Sequence, residues 1–486
     1  MNKKSIAKNY IYNLIYQIII IILPLITTPY LSRVLGAEKI GIYGYTVSIV
    51  TYFILFGSLG ISMYGQREIA YVQNDKEKQS IVFWEIIILR FITLLISMII
   101  FYFTFAFKGD YSLYYKILLL ELFANMIDIS WYFQGIEEFK KTVLRNIVVR
   151  VLSVIAIFIF IKTPEDLWKY FILYVCADVL GNLSLWKYIP KYINKVKISN
   201  LKVVKHIKPT ISLFIPQVAM QIYTVLDKTM IGSILGNMTE VGYYEQSQKI
   251  VKTVLTIITS LGTVMSSRIA SIYVSDKKEE INSYLKKSFN FVWFLGIPMM
   301  FGLIAIAKGI VPWFYGSGYD EVVPLIIILS PILLAIGLSN VTGTQYLVPI
   351  GKQKEFTISV TVGAIVNVIL NFVLIKILNA KGAAIASVIS EVFVFFIQFG
   401  FLRKELKLKD VFGTMYKYLI SGIFMFVLIE ILSMNMNPSI INTFIQVIVG
   451  SFIYFIMLLI LRDKFIMELI NKFIKRRRNL WKSMII

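Results

Sequence analysis

Cysteine and histidine are almost absent from this chain of 486 residues, which holds one of each. Cys176 alone rules out an internal disulfide and leaves no thiol cluster for a metal. His206 sits among lysines, where it is expected to be solvated, and one histidine leaves no His-based catalytic or metal-ligating constellation. Charge is scarce as well: 16% of residues are Asp, Glu, Lys or Arg, against about one-quarter in a soluble globular protein. That is too few to cover a soluble surface of this size. There is no Gly-rich phosphate-cradling loop, hence no ATPase within the chain. No paired acidic motif stands on a sizeable connection, as expected of a membrane glycosyltransferase or polymerase. The reading is of a non-enzyme that needs no cofactor or metal.

What the chain does have is apolar residues, 57% of the total, with a mean hydropathy of +0.73. They come in blocks such as Ile11–Leu31 and Ile86–Phe107, each long enough for the roughly 20 helical residues that span a hydrocarbon core. Without water there, each span must satisfy its own backbone, and a helix does so. The pattern predicts an all-α integral membrane protein of about 14 transmembrane helices. The spans fall near 11–32, 40–63, 81–107, 112–133, 145–161, 168–189, 210–235, 241–266, 287–307, 322–348, 356–377, 381–402, 412–433 and 439–461. Lys3, Lys4 and Lys8 precede the first run like a signal peptide's charged region. That run is too long, contains Pro24 and Pro29, and lacks a small-x-small cleavage site, so an uncleaved first helix is expected.

The net charge of +22 would suit nucleic acid, but its placement argues for topology. With the N-terminus inside, about 35 Lys and Arg fall on inner connections and about 9 on outer ones, a bias that orients a membrane protein. Both termini are then cytoplasmic. The longest connector, Lys187–Lys208, mixes lysines with Ile193, Val196, Ile198, Leu201 and Val204. It reads as an amphipathic segment on the inner leaflet, and the tail Lys472–Ile486, with Trp481, reads the same way. Tyr30, Tyr43, Tyr45, Tyr243 and Tyr244 cluster near outer span ends, as an interfacial belt would. Pro24 and Pro216 lie within spans and are expected to bend them.

The two halves echo each other at an offset of about 200 residues. Leu35-Gly36 followed by Gly41-Ile42-Tyr43 matches Leu235-Gly236 followed by Gly242-Tyr243-Tyr244, and Arg67-Glu68-Ile69-Ala70 matches Arg268-Ile269-Ala270. A six-span unit repeats in the same orientation, related by a pseudo-twofold axis along the membrane normal. The expected organisation is an N-lobe over 1–190, a basic amphipathic connector over 191–209, a C-lobe over 210–402, and spans 13 and 14 with the basic tail over 403–486.

Several segments carry a family resemblance. Leu23-Pro24-Leu25-Ile26-Thr27-Thr28-Pro29-Tyr30-Leu31-Ser32-Arg33-Val34-Leu35-Gly36 resembles the opening of bacterial oligosaccharide repeat-unit flippases. So do Gly65-Gln66-Arg67-Glu68-Ile69-Ala70, Asp128-Ile129-Ser130-Trp131-Tyr132-Phe133-Gln134-Gly135, Leu226-Asp227-Lys228-Thr229-Met230-Ile231-Gly232, and the stretch from Asn367 to Ala386. These are the polysaccharide transporters of the multidrug/oligosaccharidyl-lipid/polysaccharide exporter superfamily. The resemblance implies two six-helix lobes in a V plus two extra C-terminal helices. It implies an undecaprenyl-diphosphate-linked oligosaccharide carried from the inner to the outer leaflet for O-antigen or capsule assembly. It also implies contact with membrane lipids, and polymerase and other polysaccharide-assembly proteins as partners.

Ionisable groups inside spans cost roughly 2.5–3.5 kcal/mol each at the helix centre and usually face a cavity or a partner. Lys249 and Lys252, three apart on one helical face, are candidates to line a cavity that receives a diphosphate, with Arg90, Arg150 and Lys228. Asp128, Asp227 and Glu85 are candidates for ion coupling or for internal pairing, Glu85 with Arg90 and Asp227 with Lys249. Arg33 and Arg67, at span ends, read as loop capping. The rival readings are a multidrug/cation antiporter of the same superfamily, with an acidic cavity; a lipid-linked peptidoglycan precursor flippase; and a membrane sugar polymerase.

Overall fold

The computed structural model describes residues 3–273, 275 and 277–467. Among the described residues there are helices and no strand. The tail Lys472–Ile486 with Trp481 lies outside them. The chain divides into two compact units, Met1–Glu245 and Gln246–Ile486. This boundary falls inside a helix rather than in the connector 191–209.

The first unit contains α1 (Lys3–Ser58), α2 (Ile61–Tyr71), α3 (Lys76–Phe101), α4 (Ser112–Met126), α5 (Ser130–Gly135), α6 (Phe139–Phe160), α7 (Leu167–Trp186), α8 (Ile189–Tyr192), α9 (Ile207–Leu235) and the start of α10 (Met238–Thr259). The second holds the rest of α10, then α11 (Gly262–Tyr273), α12 (Lys278–Tyr315), α13 (Val322–Leu329), α14 (Ile332–Ser339), α15 (Gln353–Leu378), α16 (Ala380–Leu402), α17 (Leu408–Phe412), α18 (Met415–Ser433) and α19 (Ile440–Ile460). Helix makes up most of every predicted span, with short breaks such as those at 59–60, 127–129, 260–261 and 330–331. Ten segments among the described residues are long and apolar enough to cross a membrane by length and composition, so the count of fourteen is approximate. One cause is that α1 carries two predicted spans, broken at Gly36 (φ +77°, ψ 168°), while Pro24 and Pro29 stay within the helix.

The outward faces are apolar. Ile441, Phe444, Ile448 and Phe452 make an exposed stripe along α19, and Phe91, Ile92, Ile96, Ile99 and Ile100 do so on α3. Water would penalise apolar belts of this extent, whereas hydrocarbon does not. Polar groups turn inward instead. On α16, Gln398 accepts from Thr342 at 2.5 Å and donates to Ser359 at 3.1 Å, and on α15 Asn371 donates to Asn367 at 3.0 Å. All five are buried; the Asn pair lies within α15, while the two Gln398 bonds join helices that have no hydrophobic drive to associate in lipid.

In the first unit, two of the segments that carry the family resemblance meet. A side chain at Gly65 would strike the Trp131 ring at 2.6 Å, and one at Gly135 would strike the Gln66 carbonyl at 2.8 Å. Trp131 stacks on Phe83 (5.8 Å, 26°), and Tyr132 donates to Gln79 at 2.9 Å. Both stretches therefore shape the core of this unit.

The connector is largely irregular. After α8 it runs without regular structure to two 3-10 turns, Ile198–Asn200 and Val203–His206. It is strapped onto α3: Asn194 N–H donates to Ser80 at 2.9 Å, Trp84 donates to the Asn194 carbonyl at 3.1 Å, and Lys202 N–H donates to Glu85 at 2.6 Å. Ile189 and Ile193 enter the core, while Val204 stays exposed. His206 is 2% exposed rather than solvated. Its Nε2 lies 2.9 Å from Glu85 and its Nδ1 2.7 Å from the Tyr64 hydroxyl. Two partners far away in sequence remove it from water.

Candidate functional site

Near the predicted outer end of the first unit, the two copies of the sequence repeat touch. A Cβ on Gly41 would come within 1.6 Å of the Met238 carbonyl, and one on Gly242 within 2.0 Å of the Ala37 carbonyl. Position 41 corresponds to 242 and 37 to 238 in the repeat, so the contact is reciprocal. Gly36 and Gly236 both take positive φ, +77° and +65°, a region open to glycine. Each ends a helical stretch so that the next can start at a new angle.

Below that contact a polar seam joins α1 to α9. Tyr45 lies 3.2 Å from Ser233, and Ser48 lies 2.7 Å from Thr229. Lys228, expected at the substrate, is bound to Glu245 at 2.7 Å, both side chains about 15% exposed. Asp227 is buried and accepts from the Tyr244 hydroxyl. Tyr244, expected in the interfacial belt, is therefore fully internal. Tyr30, partly buried, donates to the Ile161 carbonyl at 2.5 Å.

The expected Glu85–Arg90 pair is absent, because each has another partner. Glu85 is fully buried and held by Lys205 (2.7 Å), His206 and the Lys202 N–H. Arg90, 1% exposed, donates to the Asn125 carbonyl at 2.6 Å and to Ser62 at 3.0 Å, and lies 3.6 Å from Asp128. Asp128 also accepts from Ser130 N–H at 2.9 Å. Arg90 and Asp128 thus pin the break between α4 and α5.

Arg150 does face a cavity, of about 330 Å³ between α1, α6 and α7, lined also by Arg145, Asn146, Tyr170, Tyr174 and Asp178. Arg145 escaped the sequence reading because it was taken for the inner end of its span. The available signal was a charge opening a predicted span on a helix whose Lys140 and Lys141 already serve the inner loop. Lys249 (half-buried) and Lys252 (exposed) lie on the part of α10 that belongs to the second unit. That unit holds an apolar cavity of about 460 Å³ between α12, α18 and α19, among whose lining residues are Pro298, Gly302, Met425, Gly450 and Tyr454. Glycines at 302 and 450 keep the helices close and the space open.

A family described as "Polysaccharide biosynthesis protein" matches residues 6–266. A protein of Escherichia coli (strain K12) named "Putative O-antigen transporter" is 28% identical over 409 residues, covering 83% of this chain and 98% of that protein. A solved structure of "Lipid II flippase MurJ, inward closed conformation" superposes with a TM-score of 0.76 at 19% identity, over 93% of this chain and 99% of the other. An inward-facing multidrug resistance MATE family transporter of the MOP superfamily gives 0.62 at 16%, over 79% and 94%. At such identities the structural likeness establishes the fold.

Proposed function

The chain belongs to the polysaccharide biosynthesis protein family, and on that footing we propose that it is a flippase for a lipid-linked polysaccharide unit. Its cargo is an undecaprenyl-diphosphate-linked oligosaccharide repeat unit, moved from the inner to the outer leaflet of the bacterial inner membrane by alternating access. Both termini are cytoplasmic, and the product feeds assembly of a surface polysaccharide. The relative named for O-antigen transport matches almost end to end, which supports the substrate class.

The observation that carries this reading over a drug/cation antiporter is the sign of the polar cavity. Arg145 and Arg150 face one carboxylate, Asp178, among its lining groups. A net positive lining attracts a diphosphate and repels an organic cation, and Arg grips phosphate oxygens in pairs. Lys249 and Lys252, on the part of α10 that belongs to the second unit, are further cations within a predicted span. The apolar cavity on α18 and α19 suits the isoprenoid tail, which gains about 0.8 kcal/mol per CH₂ removed from water and little when taken from lipid. It therefore guides the lipid more than it binds it.

The test is mass spectrometry of lipid-linked saccharides in cells depleted of the protein and complemented with variants. Wild type clears the repeat unit from the inner leaflet. Lys249→Ala with Lys252→Ala, and Arg145→Ala with Arg150→Ala, accumulate it there while inserting normally. Normal surface polysaccharide in both double variants would remove the cationic-cavity reading.

A further inference from the structure

A second, polar cavity of about 240 Å³ lies at the predicted outer ends of the helices that frame the apolar one, with Lys308, Gly309, Glu430, Asn437, Thr443 and Gln446 among its lining residues. The two cavities run along the same three helices and share Gln446. On α12 the apolar space ends at Ile306 and the polar one extends to Gly309; on α18 they abut at Ile429 and Glu430. An apolar slot that opens into a polar chamber fits an amphiphile.

Gln446 is the informative group. It is 4% exposed, and its Oε1 has no hydrogen-bond partner among the described residues. Leaving such a group unmatched costs about 1–3 kcal/mol, so its position in both cavities calls for a donor from outside the chain. Its surroundings are already built. Ser439 caps α19 by accepting from Asn442 N–H at 3.1 Å, and Asn442 donates to the Asn437 carbonyl at 2.8 Å. Thr443 accepts from Trp313 at 2.8 Å. Gly309 keeps the space in front open: a Cβ there would sit 3.6 Å from the Gln446 oxygen and 3.9 Å from the Thr443 hydroxyl. Lys308, at the rim, makes no ion pair among the described residues.

We propose that this chamber is an outer-leaflet head-group site for the lipid-linked sugar. The tail lies in the apolar slot, hydroxyls of the first sugar donate to the Gln446 amide, and the phosphate lies toward Lys308. A fully ionised phosphate has no proton to give the Gln446 oxygen, whereas every sugar hydroxyl has one, so the site favours the sugar. The proposal rests on the flippase reading and adds a resting place beyond the crossing step.

The probes are a polyprenyl-diphosphate-linked N-acetylglucosamine and the same lipid without sugar, offered to the full-length protein in nanodiscs of phosphatidylethanolamine and phosphatidylglycerol. Native mass spectrometry then reads retention. Wild type retains the glycosylated lipid about ten-fold better, the change that about 1.4 kcal/mol produces. Gln446→Leu and Gly309→Leu reduce that preference to within two-fold. Equal retention of the two lipids by wild type, occupation by bulk phospholipid only, or an unchanged preference in Gln446→Leu would overturn the site. If Gly309→Leu fails to fold, a photo-crosslinking residue at the exposed Asn437 should label the glycosylated lipid and not the bare one; the reverse labelling counts against it. Should deletion of the protein block export while Gln446→Leu keeps both export and the sugar preference, this chamber falls and the flippase reading stands. Should deletion leave export intact, the flippase reading itself falls.

Discussion

Glu85 is the residue whose loss should free the strap between α8 and α9. Three donors converge on its buried carboxylate: the Lys202 N–H at 2.6 Å, Lys205 at 2.7 Å and His206 at 2.9 Å. Lys205 is 47% exposed, and screening by water leaves it little weight. The other two are bonds to an ionised acceptor, worth roughly 1.5–3 kcal/mol each. Glu85→Ala also strands a buried histidine, which still touches Tyr64. The two bonds together come to about 3–6 kcal/mol, overlapping the cost of removing one member of a buried ion pair. At about 1.4 kcal/mol per factor of ten, the strap should open roughly two to four orders of magnitude more often. Trypsin reports this directly, because Lys195, Lys197 and Lys202 lie on the strap and slow cleavage follows the open population. Glu85→Gln keeps one acceptor and should show an intermediate rate. Glu85→Ala combined with His206→Ala should cost less than the sum of the two single changes, since they share one interaction. A tryptic rate for Glu85→Ala within two-fold of wild type would refute this account of the strap.

Three further outcomes are expected. Gly242→Ala should destabilise the first unit by roughly 1–3 kcal/mol through overpacking, because its methyl group meets a backbone carbonyl that cannot rotate away; thermal unfolding in detergent measures it, and Gly400→Ala, with open space around it, is the neutral control. Gly65→Val should lower the same transition by its clash with Trp131, and a smaller ring at position 131, Trp131→Phe, should restore part of the loss. The turn before α7 should loosen only in strong acid. Lys169, with the Lys162 and Thr163 N–H groups, holds the Asp166 carboxyl down at about 2, below the roughly 3.9 of an unfolded chain. Its stabilisation is complete above about pH 4 and is lost as the pH falls toward 2. Hydrogen exchange at residues 162–169 should speed up in that window, and Asp166→Asn should show fast exchange at every pH.

Residue order alone carried a good deal. Runs of apolar residues on a chain with few charges could only become membrane helices, because an unpaired backbone is not tolerated in hydrocarbon. The repeat was legible too: Gly36, Gly41, Gly236 and Gly242 stood at matching places, and all four do matching work at positive φ or at close backbone contact.

Partnership was not legible. Glu85 was matched with Arg90 because both lie on one helix, yet its partners come from residues 202–206 and those of Arg90 from 62, 125 and 128. His206 looked solvated by its neighbours in sequence and is buried by its neighbours in space. Periodicity is a property of one helix, so the chain by itself determined helices, their orientation bias and their duplication. Which charge met which, and where cavities opened, depended on how separate helices were brought side by side, and that only the tertiary structure decided.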